Sequence, residues 1–246
     1  MKKLFSRKLF LPFLKFIHKI NKLLHEHVYI FKVQKKHINN SFENYKEESM
    51  QKCYEHFKKY FPTTVFIKFE NIRKYAIQEA LINSNKTDDS FYLEFGVFSG
   101  KSINFFSNFV HEIYGFDSFQ GLKEDWKGFD VLKGTFDLGG KIPKLNKNVI
   151  PISGWVQDTL EKFLNEKKPH INFVHMDLDT YDSSKFVLEK IKPYLIKGSI
   201  ILFDELYNFA GWDAGEYKAL KETFKDDEYK FIAFSKDNHQ AVIKII

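Results

Sequence analysis

Two stretches of this 246-residue chain place acids where a catalytic site would need them. Phe173-Val-His-Met-Asp177-Leu-Asp179-Thr-Tyr181 and Gly198-Ser-Ile-Ile-Leu-Phe-Asp204-Glu205 are each an apolar run ending in carboxylates. Such runs read as buried strands, and in a doubly wound parallel sheet ligands collect outside the C-terminal strand ends. Asp177, Asp179, Asp204 and Glu205 are therefore expected to converge. Carboxylates brought together repel, and a hard divalent cation with oxygen ligands, magnesium foremost, relieves the repulsion. Such an ion lowers the pKa of a hydroxyl beside it, and Asp177 or Asp179 is placed to accept the proton. Structural roles compete with this. One acid of each pair can face solvent, Asp182 and Ser183 look like a helix cap, and His175 reads as a core histidine on the strand face of Asp177.

Upstream, Phe91-Tyr-Leu-Glu94-Phe-Gly96-Val-Phe-Ser-Gly100-Lys101-Ser102 hands a buried strand to a helix through a glycine turn. Without a Cβ, Gly96 and Gly100 let a ligand lie against bare backbone beside the unpaired N–H groups that open the helix at Ser102. A P-loop needs a glycine five residues before Gly100, where Phe95 stands, and the dinucleotide G-x-G-x-x-G pattern fails at Phe98. What remains, E-x-G-x-x-x-G, resembles the first motif of class I S-adenosylmethionine-dependent methyltransferases. The acid at its head suits a cationic ligand and would repel a triphosphate. Asp117 ends the next strand about 20 residues beyond Gly96, the place of the ribose carboxylate in Rossmann-like units, and capping of the following turn is its competing role.

The elements that must position these residues follow from alternating strand-like and helix-like segments after residue 90. Strands are expected at 91–97, 112–118, 148–153, 171–178 and 198–204, with helices at 100–109, 155–166, 183–195 and 215–225. The C-terminus, 230–236 and 240–246, reads as an antiparallel hairpin. The expected fold is α/β, a Rossmann-like, doubly wound, mostly parallel sheet of seven strands whose last pair is that hairpin, with a helical N-terminal extension. Residues 41–88 read as helices interrupted at Phe61-Pro-Thr-Thr64. Residues 119–147, rich in Gly, Lys and Asp, form a long connection suited to a lid or acceptor loop.

Composition narrows the class of protein. The hydrophobic fraction of 43% and charged fraction of 28% are those of a globular domain, and the length suits one α/β domain with an extension. A single cysteine, Cys53, excludes an internal disulfide and points to a reducing cytosol. Residues 1–40 hold ten Lys or Arg and one acid, Glu26, so the other 206 residues carry three net negative charges. An acidic catalytic region argues against nucleic acid as a partner. In residues 1–24 basic and apolar residues interleave, too interrupted for a secretory signal or a spanning helix. They suit peripheral contact with an anionic membrane at the inner face, or an arm packing on the chain's own domain or a second subunit.

Glu94-Phe-Gly-Val-Phe-Ser-Gly100, Tyr114-Gly-Phe-Asp-Ser-Phe-Gln-Gly-Leu-Lys-Glu-Asp-Trp126, Gly154-Trp-Val-Gln-Asp-Thr-Leu160, Asp177-Leu-Asp-Thr-Tyr181 and Asp204-Glu205 occur in that order. Together they resemble the macrocin (macrolide sugar) O-methyltransferase family, over residues 66–246. The resemblance implies S-adenosyl-L-methionine as donor, magnesium, methyl transfer to a sugar hydroxyl of a glycan or glycosylated metabolite, and homo-oligomers. It assigns Glu94, Gly96, Gly100 and Ser102 to the cofactor turn, Asp117 and Ser118 to the ribose, Trp155 to the adenine, and Asp177, Asp204 and Glu205 to the metal. Glu205 departs from the family, which more often has Asp there. Residues 1–65 have no counterpart and form a separate basic, helical extension to a 66–246 methyltransferase domain. Two further readings stand beside this one: a nucleotide-binding protein using Gly100-Lys101-Ser102, and a membrane-associated binding protein without catalysis. Deleting residues 1–24 tests the membrane arm: affinity for anionic vesicles is expected to be lost, and unchanged affinity rules that contact out.

Overall fold

The computed structural model describes residues 19–22, 40–83, 90–126 and 131–246. The expectations for residues 1–24 lie outside them, apart from a helical stretch at 19–22. No helix among the described residues is long and apolar enough to cross a membrane. The chain divides into two compact units, Met1–Tyr45 and Lys46–Ile246.

Helix α1 (Ser41–Phe57) leads to a 3-10 turn at Phe61–Thr63, then β1 (Val65–Ile67) and α2 (Phe69–Asn83). There follow β2 (Ser90–Phe95), α3 (Lys101–Ser107), β3 (Ile113–Asp117), β4 (Val149–Ser153), α4 (Val156–Lys167) and β5 (His170–Met176). The chain ends with α5 (Tyr181–Ile191), β6 (Leu195–Phe203), α6 (Glu216–Thr223), β7 (Tyr229–Ser235) and β8 (Ala241–Ile245). The strands form one sheet in the order β1-β7-β8-β6-β5-β2-β3-β4. Strand β8 runs antiparallel to β6 and β7, and every other pairing is parallel. This is the expected Rossmann-like sheet with its closing hairpin, and it has eight strands where seven were expected. The added strand, β1, is three residues on the edge beside β7, too short to show a period in the sequence.

Period-2 alternation sorts the side chains onto two faces. Leu93, Phe95, Val174, Met176, Ile201 and Phe203 pack under α4, α5 and α6. Those helices present Leu160, Phe163, Leu164, Val187, Leu188, Ile191 and Leu220, spaced three and four apart as an amphipathic helix requires. On the other face Tyr92, Phe173, Ile200 and Leu202 meet Ile72, Ala76 and Ala80 of α2 and Phe106 of α3. Strand order reverses where β2 lies between β5 and β3. The turns after β2 and β5 thus open side by side, where such sheets bind ligands.

The Lys46–Ile246 unit includes the C-terminal part of α1. Ser49, Cys53 and Phe57 recur every four residues and are buried. The Ser49 hydroxyl accepts the Gly211 N–H at 3.1 Å, and Cys53 Sγ accepts that of Asn208 at 3.2 Å. Residues 46–65, grouped in the sequence with the extension, therefore contribute to the core. Phe57 has no exposed surface and meets Tyr207, Trp212, Tyr217, Phe231 and Phe234 ring to ring. Phe57→Ala is expected to cost about 3–5 kcal/mol, read as a lower urea midpoint at unchanged slope. A loss under about 1 kcal/mol would show that α1 is not part of the cooperative unit.

Candidate active site

The turn after β2 is built against the end of β5. Gly96 has φ +89°, and a Cβ placed there would sit 1.7 Å from the carbonyl oxygen of Asp177, so only glycine fits. Gly100 has φ +78° and packs on Leu145 of the long connection, where a Cβ would come within 2.7 Å. It shapes the turn and does not line the cavity beside it. Phe98 and Phe119 hold φ of +41° and +55°. Asp117 staples both: one carboxylate oxygen accepts the Val97 and Phe98 N–H groups at 2.8 and 2.7 Å, and the other accepts Phe119 N–H at 2.7 Å. Three of about four acceptor positions are thus spent, leaving one for a ligand hydroxyl.

A cavity of about 320 Å³ opens over this turn. Of the residues expected at the site, Gly96, Ser102, Asp117, Ser118, Trp155, Asp177, Asp179 and Glu205 line it, while Glu94, Gly100 and Asp204 do not. Glu94 is fully buried on the α2 and α3 face. It accepts Ser102 Oγ–H at 2.9 Å and the Nδ1–H of His175 at 3.1 Å. It secures the floor of the turn instead of touching a ligand, because alternation along β2 aims residues 92 and 94 into the helix layer. His175, expected as a core histidine, is buried but bridges two acids, its Nε2 lying 3.2 Å from Asp204 Oδ1. The same Asp204 oxygen accepts Arg73 Nη2–H at 3.0 Å and the Gln240 side-chain amide.

These contacts divide the acids. Burial disfavours charge on His175, yet the hydrogen bonds to Asp204 and Glu94 raise its pKa to about 10, so it is an imidazolium. Burial would likewise raise Asp204, but His175 and then Arg73 outweigh it and hold the carboxyl well below its usual range. Asp177 and Glu205 are pushed up by burial first and by the Asp204 charge second. Asp179 rises to about 7 through burial and the charges of Asp204 and Asp117. Glu216 is also fully buried and raised, chiefly by burial; its Oε2 accepts the Glu205 N–H at 3.1 Å and its Oε1 has no partner.

Two sets of ligand atoms lie within 4.8 Å of one another: His175, Asp177 and Asp204, and Asp177, Asp179 and Glu205. In the first, Asp204 is already engaged by Arg73, His175 and Gln240. The second faces the cavity, and Glu205 Oε2 is buried without a hydrogen-bond partner. An orphaned carboxylate oxygen among raised acids fits a hard dication. This second set carries Asp179 where the set expected from the sequence carries Asp204.

Several lining residues were not singled out in the sequence. Arg73 sits beside the apolar stripe of α2, where one charged residue looks like a solvated flank. Phe98, Trp126 and Phe136 come from the turn and the long connection, Phe98 and Phe136 meeting edge to face at 5.1 Å. That connection also supplies Gly121, Leu122 and Lys123, in keeping with its reading as a lid. Lys123 Nζ lies 4.7 Å over the Trp155 ring. Trp155, not Asp182 or Ser183, has a capping position: it precedes α4, while Thr180 precedes α5 and Asp182 and Ser183 fall in its first turn.

Residues 93–206 match the family model described as a methyltransferase domain. The crystal structure of CalS11, a calicheamicin methyltransferase, superposes with a TM-score of 0.58 at 24% identity, over 70% of this chain and 77% of that one. The apo structure of CalS11, described as a TDP-rhamnose 3'-O-methyltransferase, gives 0.52 at 24% identity, over 70% and 76%. No curated protein matches the chain by sequence. Residues 93–206 thus carry the pattern of a methyltransferase domain, and the fold of the chain is that of these solved methyltransferases.

The raised acids make a signed prediction for the metal-free protein. Asp179 keeps its proton to about pH 7 when folded and to about pH 4 when unfolded. Across that window the folded state binds more protons, and stability falls as pH rises. Asp204 acts below the window, its contribution being lost only as pH falls beneath its usual carboxylate range. In EDTA, Tm is expected to drop between about pH 4 and 7, with Asp179→Asn flattening the drop and magnesium reversing it at neutral pH. A level Tm in EDTA contradicts the cluster.

Proposed function

We propose that this methyltransferase acts on a hydroxyl of a sugar, in a glycan or glycosylated metabolite, with a divalent cation, magnesium by its ligand chemistry, held by Asp177, Asp179 and Glu205. One observation carries the reading: three carboxylates that form no salt bridge among the described residues line a single cavity with the Gly96 turn. CalS11, of the same fold, is described as acting on TDP-rhamnose, and the ordered motifs from Glu94 to Glu205 resemble sugar O-methyltransferases.

The chain's own groups divide the work. Gly96 and Ser102 shape the wall against which the donor lies, Asp117 offers its remaining acceptor position to a ribose hydroxyl beside Ser118, and the Trp155 ring takes the adenine. The carboxylates that line the cavity favour the sulfonium charge of the donor over an anionic ligand. Asp179 takes the proton of the acceptor hydroxyl while the oxygen–methyl bond forms and the sulfur–methyl bond breaks. The sulfur leaves as a neutral thioether and the proton passes from Asp179 to solvent. A bound dication supplies charge that neutralises the acids and lowers the pKa of a neighbouring hydroxyl. Arg73 and His175 keep Asp204 ionised and turned from the cavity, so it does not compete for that proton.

The reading includes a cytosolic setting and an N-terminal basic arm, in residues 1–24, that touches the inner membrane face or a second copy; composition is its support. Nucleotide binding at Gly100-Lys101-Ser102 loses ground, because the Ser102 hydroxyl is committed to Glu94. Calorimetry is expected to show S-adenosylmethionine binding, and EDTA to suppress transfer to sugars. Asp179→Asn is expected to lower kcat by about 10²-fold or more with donor affinity changed less than about threefold. Absence of donor binding ends the proposal; full turnover in EDTA removes the cation from it.

A further inference from the structure

Arg73, on α2, lines the donor cavity. It is one of two arginines in the chain, the other being Arg7; 36 of the 38 Lys and Arg residues are lysines. A chain that writes nearly every cation as lysine yet holds a guanidinium at this wall gains the planar fork that lysine lacks. We propose that Arg73 binds the α-carboxylate of the methyl donor and so holds the amino-acid end of S-adenosylmethionine at the α2 side of the cavity. The inference rests on the methyl-transfer reading and assigns a residue to that end of the donor.

Unspent hydrogen-bond donors are the first support. Arg73 carries five N–H groups, and among the described residues one of them is used, an Nη2–H given to Asp204 Oδ1 at 3.0 Å. Its Nε is buried without a partner. Donors left unmet at such depth are costly unless a ligand brings acceptors. The Asp204 bond and the Phe69 ring, whose centroid lies 5.3 Å from the guanidinium carbon, fix where the group sits. A lysine would hold Asp204 at one point equally well, so the rest of the fork is what the arginine adds.

Strand order supplies the direction. Trp155 precedes α4 just beyond β4 and Asp117 ends β3, whereas Asp204, the partner of Arg73, follows β6, with β2 and β5 between β3 and β6. At the usual spacing of neighbouring strands, Asp117 and Asp204 stand about 14 Å apart along the sheet edge. A donor with its adenine at Trp155 and its ribose at Asp117 therefore runs past Gly96 towards β5 and β6, and its carboxylate arrives at the Arg73 end. The acids there, Asp177, Asp179 and Glu205, repel a carboxylate that has no counter-ion of its own. The two lysines that line the cavity do not meet this need. Lys123 lies over the Trp155 ring and bonds Gln157 Oε1 at 3.0 Å, at the adenine end, and Lys101 is exposed at the first residue of α3.

The test uses the full chain with magnesium and no acceptor, and reads binding by calorimetry. S-adenosylhomocysteine is compared with its decarboxylated analogue, which keeps the amine and lacks only the carboxylate. An acidic cavity without a carboxylate site favours the analogue, whose net charge is more positive. With Arg73 engaged, S-adenosylhomocysteine is expected to bind about tenfold or more tightly than the analogue. Arg73→Gln is expected to bring the two ligands within about threefold by weakening S-adenosylhomocysteine alone, because crossing the ligand change with the substitution isolates their contact. If the Gln variant does not fold, Arg73→Lys, which keeps the charge beside Asp204, decides, and its preference is expected to fall by about threefold or more. Parity of the two ligands in the native chain, a full preference in a folded variant, or equal losses for both ligands overturns the carboxylate site and leaves methyl transfer standing. Failure of S-adenosylhomocysteine to bind the native chain overturns both.

Discussion

Like charges gathered at the C-terminal edge of the sheet are the constraint around which this molecule is arranged. Glu94, Asp177, Asp179, Asp204, Glu205 and Glu216 come together there with half-buried Arg73 and buried His175 as their cationic neighbours. Two unit charges 4–5 Å apart repel by about 4 kcal/mol at the effective dielectric of a protein. The Asp177, Asp179 and Glu205 trio, with ligand atoms within 4.8 Å, contains three such pairs. Full ionisation would cost on the order of 10 kcal/mol, the size of a whole domain's stability. Protons or a cation on the trio relieve this repulsion, and that need is what makes the site receptive.

The same edge is held together by backbone. Asp177 N–H bonds the Phe95 carbonyl at 2.9 Å, and Asp204 N–H that of Met176 at 3.0 Å, so the ladder continues past the strand ends. The Asp177 carbonyl lies so close to Gly96 that no Cβ fits between the turn and the first acid. Asp117 adds a second tie, its carboxylate holding the Phe98 and Phe119 N–H groups where both residues are left-handed. Donor wall and acid cluster are thus preorganised relative to one another, which methyl transfer requires because the attacking oxygen and the leaving sulfur must align.

The strands and helices after residue 90 were legible because each is a clear apolar period bounded by glycine or acid, and the structure shifts their ends by only a few residues. The meeting of Asp177, Asp179 and Glu205 with the Gly96 turn was legible for the same reason: it follows from strand ends sharing an edge. Which way each carboxylate turns was not. Glu94 and Asp204 lie on the helix-layer face, and that depends on Ser102, His175, Arg73 and Gln240, residues distant in sequence whose types give no local signal. Arg73 was hidden beside an ordinary amphipathic stripe. The edge strand β1 was hidden because three residues cannot display a period of two.

One departure from the resembled family then acquires a physical account. At the end of β6 alternation sends residue 204 to the α2 and α3 face, where it is consumed by the imidazolium of His175 and the guanidinium of Arg73. Residue 205 goes to the other side, its N–H fixed by Glu216 at the start of α6. With its backbone pinned, an aspartate at 205 would stop one methylene short of the place the glutamate reaches. The longer side chain carries its carboxylate to Asp177 and Asp179 while leaving one oxygen without a protein partner. The unusual residue is thus the one that completes a trio of carboxylates on the cavity wall, with Asp204 left outside it.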